Sequence, residues 1–306
     1  MWSYTLRRVL FTLPTLLIVI TVCYLLLHLT PGGPFDGDRQ VPAAVLANLQ
    51  QKYHLNDPLW KQYLLYLNSL LHGDLGASFR YADWSVNALV RQALPVSLLI
   101  GGVAMLLSIV IGIALGMVAA LYRNSPADYL LMLIGNAGSA FPSFVIGPVL
   151  ILIFSIILKW LPAGGWNNYE VRFMVLPIVL LTIVNVATIG RLSRAGLIEV
   201  MNTNYIRTAY AKGLSRRTIV LRHALRPTLI PVVSVLGPLA ISSITAAVVT
   251  ESVFALPGIG KLIVNGAANR DYTLVLGLVV LVTIFAVLLN LLVDLAYAWL
   301  DPKIRY

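Results

Sequence analysis

Six stretches of the chain run apolar for about twenty residues or more with hardly a charge among them: about 9–29, 94–121, 130–158, 173–190, 228–254 and 274–300. Each is long enough to cross a hydrocarbon layer of roughly 30 Å as a helix. A helix also satisfies its own backbone polar groups in lipid, which an isolated strand cannot do. The pattern therefore predicts an all-α integral membrane protein with six transmembrane helices. Arg7 and Arg8 precede the first run, as in a secretory leader, but the run is too long and no small-residue cleavage site follows, so it is read as a retained span.

The longest polar interval, 30–93, contains its own helical signal in NDPLWKQYLLYLNSLLHG. Asn56 or Asp57 can cap this helix, Pro58 suits its first position, and Gly73 suits its end. Leu59, Tyr63, Tyr66, Leu67 and Leu70 recur at helical spacing and form an apolar stripe, expected to pack on the span bundle or the membrane surface while polar loops around it meet an external protein. The linear division is then 1–30 as an N-terminal transmembrane helix, 31–93 as an extracytoplasmic subdomain, 94–300 as a transmembrane core with a cytoplasmic loop 191–227, and 301–306 as a cytoplasmic tail.

Composition agrees with the pattern: 59% of the 306 residues are hydrophobic and 11% charged, at a mean hydropathy of +0.85, which is outside the range of an ordinary soluble domain. The net charge of +10 sets orientation rather than nucleic-acid binding. Arg7, Arg8, Arg123, Lys303, Arg305 and the loop 191–227 all fall on one side of a six-span topology. That loop has eight basic residues against one acid, Glu199. The interval 30–93 balances five basic residues with five aspartates. Both termini and the basic loop are therefore placed in the cytoplasm. Cys23 is the single cysteine, and the four histidines are scattered without ligand spacing, so neither an internal disulfide nor a metal site is expected.

Polar and small residues inside the spans mark where helices meet or where a wet pathway runs. Gly112 and Gly116, in GIALG, form a small-xxx-small pair for close helix packing. Asn136, Ser139 and Ser143 in the third span, Asn185 in the fourth, and Ser242, Ser243 and Thr245 in the fifth are candidates for lining a translocation path. Glu251 and Asp294 are ionisable residues within or at the edge of spans, where charge is costly. Asp294 is read as a helix-packing residue paired with Arg191 or Arg194. Glu251, near the outer end of the fifth span, is about evenly balanced between an ion pair stapling helices and a proton relay, and it is a further candidate for the translocation path.

The chain has no nucleotide engine of its own. LPGIGKLI, 256–263, offers Gly260 and Lys261, but Leu262 stands where a phosphate loop needs a hydroxyl, the upstream glycine is misplaced, and the segment lies outside the cell. The basic loop instead holds a short helix. Asn204 can cap it, Tyr205 to Lys212 form two turns, Gly213 suits a left-handed stop, and Ser215 can cap a second helix leading into the fifth span. A helix this short is marginal alone and must dock. Tyr205 with Ala209, and Ile206 with Tyr210, are i, i+4 pairs of aromatic and small apolar surface. That favours a protein contact over a plain polybasic contact with lipid.

YIRTAYAKGLSRRTIVLRHALRP in this loop, PGGPF after the first span, HGDLGASF at 72–79, ESVFALPGIG and NRDY within 251–272, and the ending DPKIRY together resemble the permease subunits of ABC importers of the oligopeptide/dipeptide permease family, across essentially the whole chain. The wider importer family has Glu-Ala-Ala, then Gly, then Leu-Pro in this loop. Here Arg207, Thr208, Ala209 and Gly213 fill the first part, and Leu225-Arg226-Pro227 replaces the pair. The short 159–172 connection resembles the oligopeptide branch. The resemblance implies a type I importer transmembrane domain in the bacterial inner membrane, an ABC permease core over 94–300. It would pair with a homologous second permease, two cytoplasmic ABC ATPases that hold ATP and Mg, and an extracytoplasmic peptide-binding protein. Asn204, Tyr205, Ile206, Arg207, Thr208, Ala209, Tyr210, Ala211, Lys212, Gly213, Leu214 and Ser215 would couple the ATPases to the spans. The chain itself would bind no cofactor and catalyse no hydrolysis.

Within this reading, dipeptides, glutathione, murein peptides and nickel complexes are alternative substrates. Outside it stand a proton-coupled secondary transporter using Glu251 or Asp294, which would work without ATPases, and a membrane scaffold with no transport path.

Overall fold

The structure, a computed structural model, describes residues 2–29, 56–81 and 83–300, without the side chains of 2–12, 134, 136, 137, 139, 245, 246 and 294–300. The PGGPF motif, the aspartates 36 and 38, the ending DPKIRY and most of the first half of the proposed external subdomain lie outside these residues. Among the described residues the chain is helical, with an isolated bridge between Ala77 and Ser85 and no strand. The helices in chain order are α1 (Trp2–Leu29), α2 (Leu59–Leu71), α3 (Val86–Leu121), α4 (Pro126–Ala140), α5 (Ser143–Leu150), α6 (Val171–Met201), α7 (Asn204–Ala211), α8 (Leu225–Val253), α9 (Ile259–Ala268) and α10 (Tyr272–Leu300).

Among the described residues, four helical runs are long and apolar enough to cross a membrane on their own: Val86–Leu121, Val171–Met201, Arg216–Val253 and Tyr272–Val293. In α1 the part with described side chains, Leu13–Leu29, is apolar. The third expected span, 130–158, is not one continuous helix. It breaks at Phe141, which is extended (φ −109°, ψ 139°), because the ring of Pro142 disfavours helical backbone in the residue before it. The chain resumes as α5 and passes through Pro148 into a wider π-helical stretch, Ile151–Ile157. Arg216–Val253 also changes register. A turn at Arg216–Thr218 and a π-helical stretch at Ile219–Ala224 precede α8, where Pro227 has no N–H to offer the His223 carbonyl.

Two compact units emerge, and they cut across the linear division. The first joins residues 1–96 with 257–285, because the segment after Pro257 returns to the start of α3. Its core is Val86, Leu89, Val90 and Ala93 of α3 against Ile259 of α9 and Leu274 and Leu278 of α10. The second unit holds 97–256 and 286–306. There α6 packs against α4, α5 and α8 and buries Leu180, Leu181, Ile189 and Leu197. Gly112 and Gly116 of α3 face α6 in this unit. A Cβ on Gly112 would stand 2.8 Å from that of Ile189, and one on Gly116 would collide with the Gly190 carbonyl. The small-xxx-small pair is thus used within the chain.

Candidate functional site: the basic short helix and its supports

Helix α7 forms over Asn204–Ala211, one residue earlier than expected: Thr203, not Asn204, occupies the cap position, with extended backbone (φ −76°, ψ 156°). Lys212 closes the helix and Gly213 takes the left-handed conformation, φ 77°. Leu214 then returns its N–H to the Ala209 carbonyl at 3.3 Å, which completes the stop. Ser215 caps the next turn, its hydroxyl accepting from Thr218 N–H at 3.3 Å.

The expected i, i+4 pairing of faces is not what forms. Ile206 and Ala209, at i and i+3, are the two buried residues of α7. They sit with Leu197, Ile219 and Ala224, bordered by Met117, Ala120, Leu121, Val200, Met201 and Leu214. Tyr205, Arg207, Thr208, Tyr210, Ala211 and Lys212 face outward, with Tyr205 and Tyr210 about half exposed. The helix is thus seated by two small anchors and presents two tyrosines and two cations. Two tyrosines on one exposed, basic surface suit a protein groove.

The seat is tied to neighbouring helices by two arginines. Arg216 donates from Nη2 to the Leu121 carbonyl at 2.7 Å, satisfying an acceptor left open at the C-terminus of α3. Arg194 of α6 donates from Nε and Nη2 to Asp128 at 2.7 and 2.6 Å, a bidentate pair. Asp128 is buried in the first turn of α4 and also accepts from Asn124 N–H at 2.9 Å, while Ser125 caps the same helix. The Arg194 bond, helped by the Asn124 N–H, holds the Asp128 carboxyl below its usual range although burial pushes the other way.

Arg194, one of the two arginines considered as a partner for Asp294, is paired with Asp128 in the structure. Asp128 escaped the sequence reading because it lies just before the third apolar run. Its signal was an acid three residues after Ser125, in the SPAD sequence that opens α4.

Among the candidate path residues, Asn185 and Ser243 are brought together: Asn185 Nδ2 donates to Ser243 Oγ at 2.9 Å, with Asn185 buried. Ser242 is exposed and bonds back to the Leu239 carbonyl at 2.9 Å. Ser143 opens α5, partly exposed. Asn136, Ser139, Thr245 and Asp294 lie on helices, but their side chains are outside the described ones. Glu251 is buried and accepts from Ser97 Oγ at 2.5 Å, joining α8 to α3 within the second unit. The following turn is locked by Gly165, whose N–H donates to the Phe254 carbonyl at 2.7 Å. On the first unit, Ser78 donates to Asp271, which also accepts from the Phe79 N–H at 3.1 Å and the Leu274 N–H at 3.2 Å. The HGDLGASF and NRDY motifs therefore meet at one buried carboxylate.

Residues 112–306 match the family described as the binding-protein-dependent transport system inner membrane component. An oligopeptide transport system permease protein of Haemophilus influenzae is 53% identical over all 306 residues of both chains, and its counterpart in Escherichia coli K12 is 50% identical over the same span. A dipeptide transport system permease of Bacillus subtilis is 39% identical, covering 100% of this chain and 98% of its own. The inward-facing methionine ABC transporter MetNI contains a chain of similar fold, with a TM-score of 0.60 at 19% identity over 70% of this chain and 96% of that one. The chain belongs to the family of binding-protein-dependent transport-system inner-membrane components.

Proposed function

We propose that the chain is the permease subunit of an ATP-driven importer and forms half of the path by which oligopeptides cross the bacterial inner membrane. The full-length likeness to oligopeptide permeases supports the substrate class. A homologous permease supplies the other half, an extracytoplasmic protein delivers peptide, and two cytoplasmic ATPases bind ATP and Mg. No cofactor is held by this chain.

One observation carries the coupling role: α7 is anchored by Ile206 and Ala209 in a seat built from the ends of α3 and α6 and from the π-helical turn leading to α8. A displacement applied to its outward face, Tyr205, Arg207, Thr208, Tyr210, Ala211 and Lys212, passes through that seat into three membrane helices. Asn204 and Gly213 to Ser215 bound the moving piece. Asn185, Ser242, Ser243 and Glu251, with Asn136, Ser139, Ser143 and Thr245, are the polar positions from which α4, α5, α6 and α8 line the path. Gly112, Gly116 and Asp294 hold helices together.

Proteoliposomes containing this chain, its partner permease, both ATPases and the peptide-binding protein test the reading. Labelled peptide accumulates when ATP is supplied on the ATPase side and does not when a proton gradient alone is applied. Accumulation on a gradient without ATPases would overturn the proposal.

A further inference from the structure

We propose that α2 is an interfacial helix immersed in the outer leaflet, with Trp60, Leu64 and Leu71 packed against lipid. The inference is independent of the substrate and of the coupling role.

Placed at roughly 100° per residue, the apolar side chains of α2 other than Leu65 form one arc about 160° wide, running from Tyr66 through Leu59, Leu70, Tyr63 and Leu67 to Trp60, Leu71 and Leu64, while Leu65 stands apart on the polar side. The protein covers part of that arc. Tyr63, Tyr66, Leu67 and Leu70 are partly buried, whereas Trp60 is 66% exposed, Leu64 55% and Leu71 86%. Lys61 and Asn68 lie beyond Leu64 on the polar side, where Lys61 pairs with Asp57 at 3.1 Å. Trp60, Leu71 and Leu64 thus continue a packed face and end at a polar edge. A helix lying at a membrane surface has this partition, with Trp and Tyr at the boundary and Lys toward water.

The level at which α2 sits identifies the occupant. Tyr63 shares a 2.6 Å hydrogen bond with Thr21, and the Tyr24 hydroxyl donates to the Leu59 carbonyl at 3.4 Å. Thr21 and Tyr24 belong to the last turns of α1, whose neighbouring face exposes Ile18, Val22, Leu25, Leu26 and Leu29. Thr21 is two turns, or about 12 Å, before Leu29 along the axis, which is within one leaflet of a hydrocarbon layer of roughly 30 Å. The exposed stripe of α2 therefore adjoins the lipid-facing side of a transmembrane helix at the depth of acyl chains. A protein partner arriving from the aqueous side would meet Lys61 and Asn68 first.

The test uses the full complex in phosphatidylcholine–phosphatidylglycerol liposomes, with Cys23→Ser removing the native thiol. Environment-sensitive fluorophores are placed by Leu64→Cys, Trp60→Cys and, on the polar edge, Asn68→Cys. At positions 64 and 60 the emission is expected to be blue-shifted and quenched several-fold more by nitroxide on lipid acyl chains than by aqueous iodide, with the reverse at 68. Equal iodide quenching at 64 and 68 would overturn the proposal. So would protection at 64 from both quenchers, or protection appearing when the extracytoplasmic binding protein is added, since either result puts protein against the stripe.

Discussion

Arg194 grips the buried carboxylate of Asp128 with two nitrogens, at 2.7 and 2.6 Å, and so fixes the start of α4 to the C-terminal part of α6. Arg194→Ala leaves a buried carboxylate without its main partner. The expected loss is about 3 kcal/mol, the low end for a buried pair because Arg194 is partly exposed. Asp128→Asn keeps an acceptor for Asn124 and should cost less. Melting of the detergent-solubilised chain reads both.

The same pair gives a pH dependence with a defined sign. The Asp128 carboxyl is held below its usual value in the folded chain. Its stabilisation is thus complete above the ordinary aspartate pKa of about 3.9 and is lost as pH falls through the lower, folded value. The melting difference between the native chain and Asp128→Asn should be constant from neutral pH to about 5 and shrink below about 4. A difference that instead grows on acidification would contradict the assignment.

Gly116 and Gly101 lie on the same helix and should respond oppositely to alanine. A Cβ at Gly116 meets the Gly190 carbonyl and Ser193, while one at Gly101 meets nothing within 4 Å. Gly116→Ala is expected to destabilise by about 1–3 kcal/mol through forced separation of α3 and α6. Gly101→Ala is expected to be neutral or to stabilise by up to about 1 kcal/mol. Thermal unfolding of the two variants side by side gives the comparison.

At Gly213 the obstacle is conformational and not steric, since φ is 77° and a Cβ would meet nothing within 4 Å. Gly213→Val should cost about 1–2 kcal/mol locally, leave membrane levels normal, and weaken ATPase attachment or uncouple hydrolysis from uptake. Gly213→Asn, which accepts the left-handed region, should retain most transport. Parallel assays of hydrolysis and peptide entry distinguish the two, and full transport by the valine variant would remove α7 from the coupling route.

Hydrophobic runs were enough to read the helical class and the approximate spans, because lipid imposes length and composition on every segment that crosses it. The break at Phe141–Pro142 was written in the dipeptide but was smoothed over by the apolar residues on both sides. The inward face of α7 was not legible. In a two-turn helix with apolar residues on both sides, spacing alone cannot tell Ile206 and Ala209 from Tyr205 and Tyr210. The meeting of Ser78 and Asp271, 193 residues apart, depends on the chain returning after Pro257, and nothing local records that. The SPAD sequence marks Asp128 as a helix-start acid, a signal missed beside the apolar run, and its partner is found only in three dimensions.

The division of α7 into two buried anchors and an outward set separates folding from recognition along a single short sequence. Positions 206 and 209 are answerable to this chain's own interior, whereas 205, 207, 208, 210, 211 and 212 are answerable to whatever protein lies opposite. If α7 has the coupling role proposed above, exchanging the outward set as a block for that of a related transporter should redirect the choice of motor while the host subunit keeps its fold.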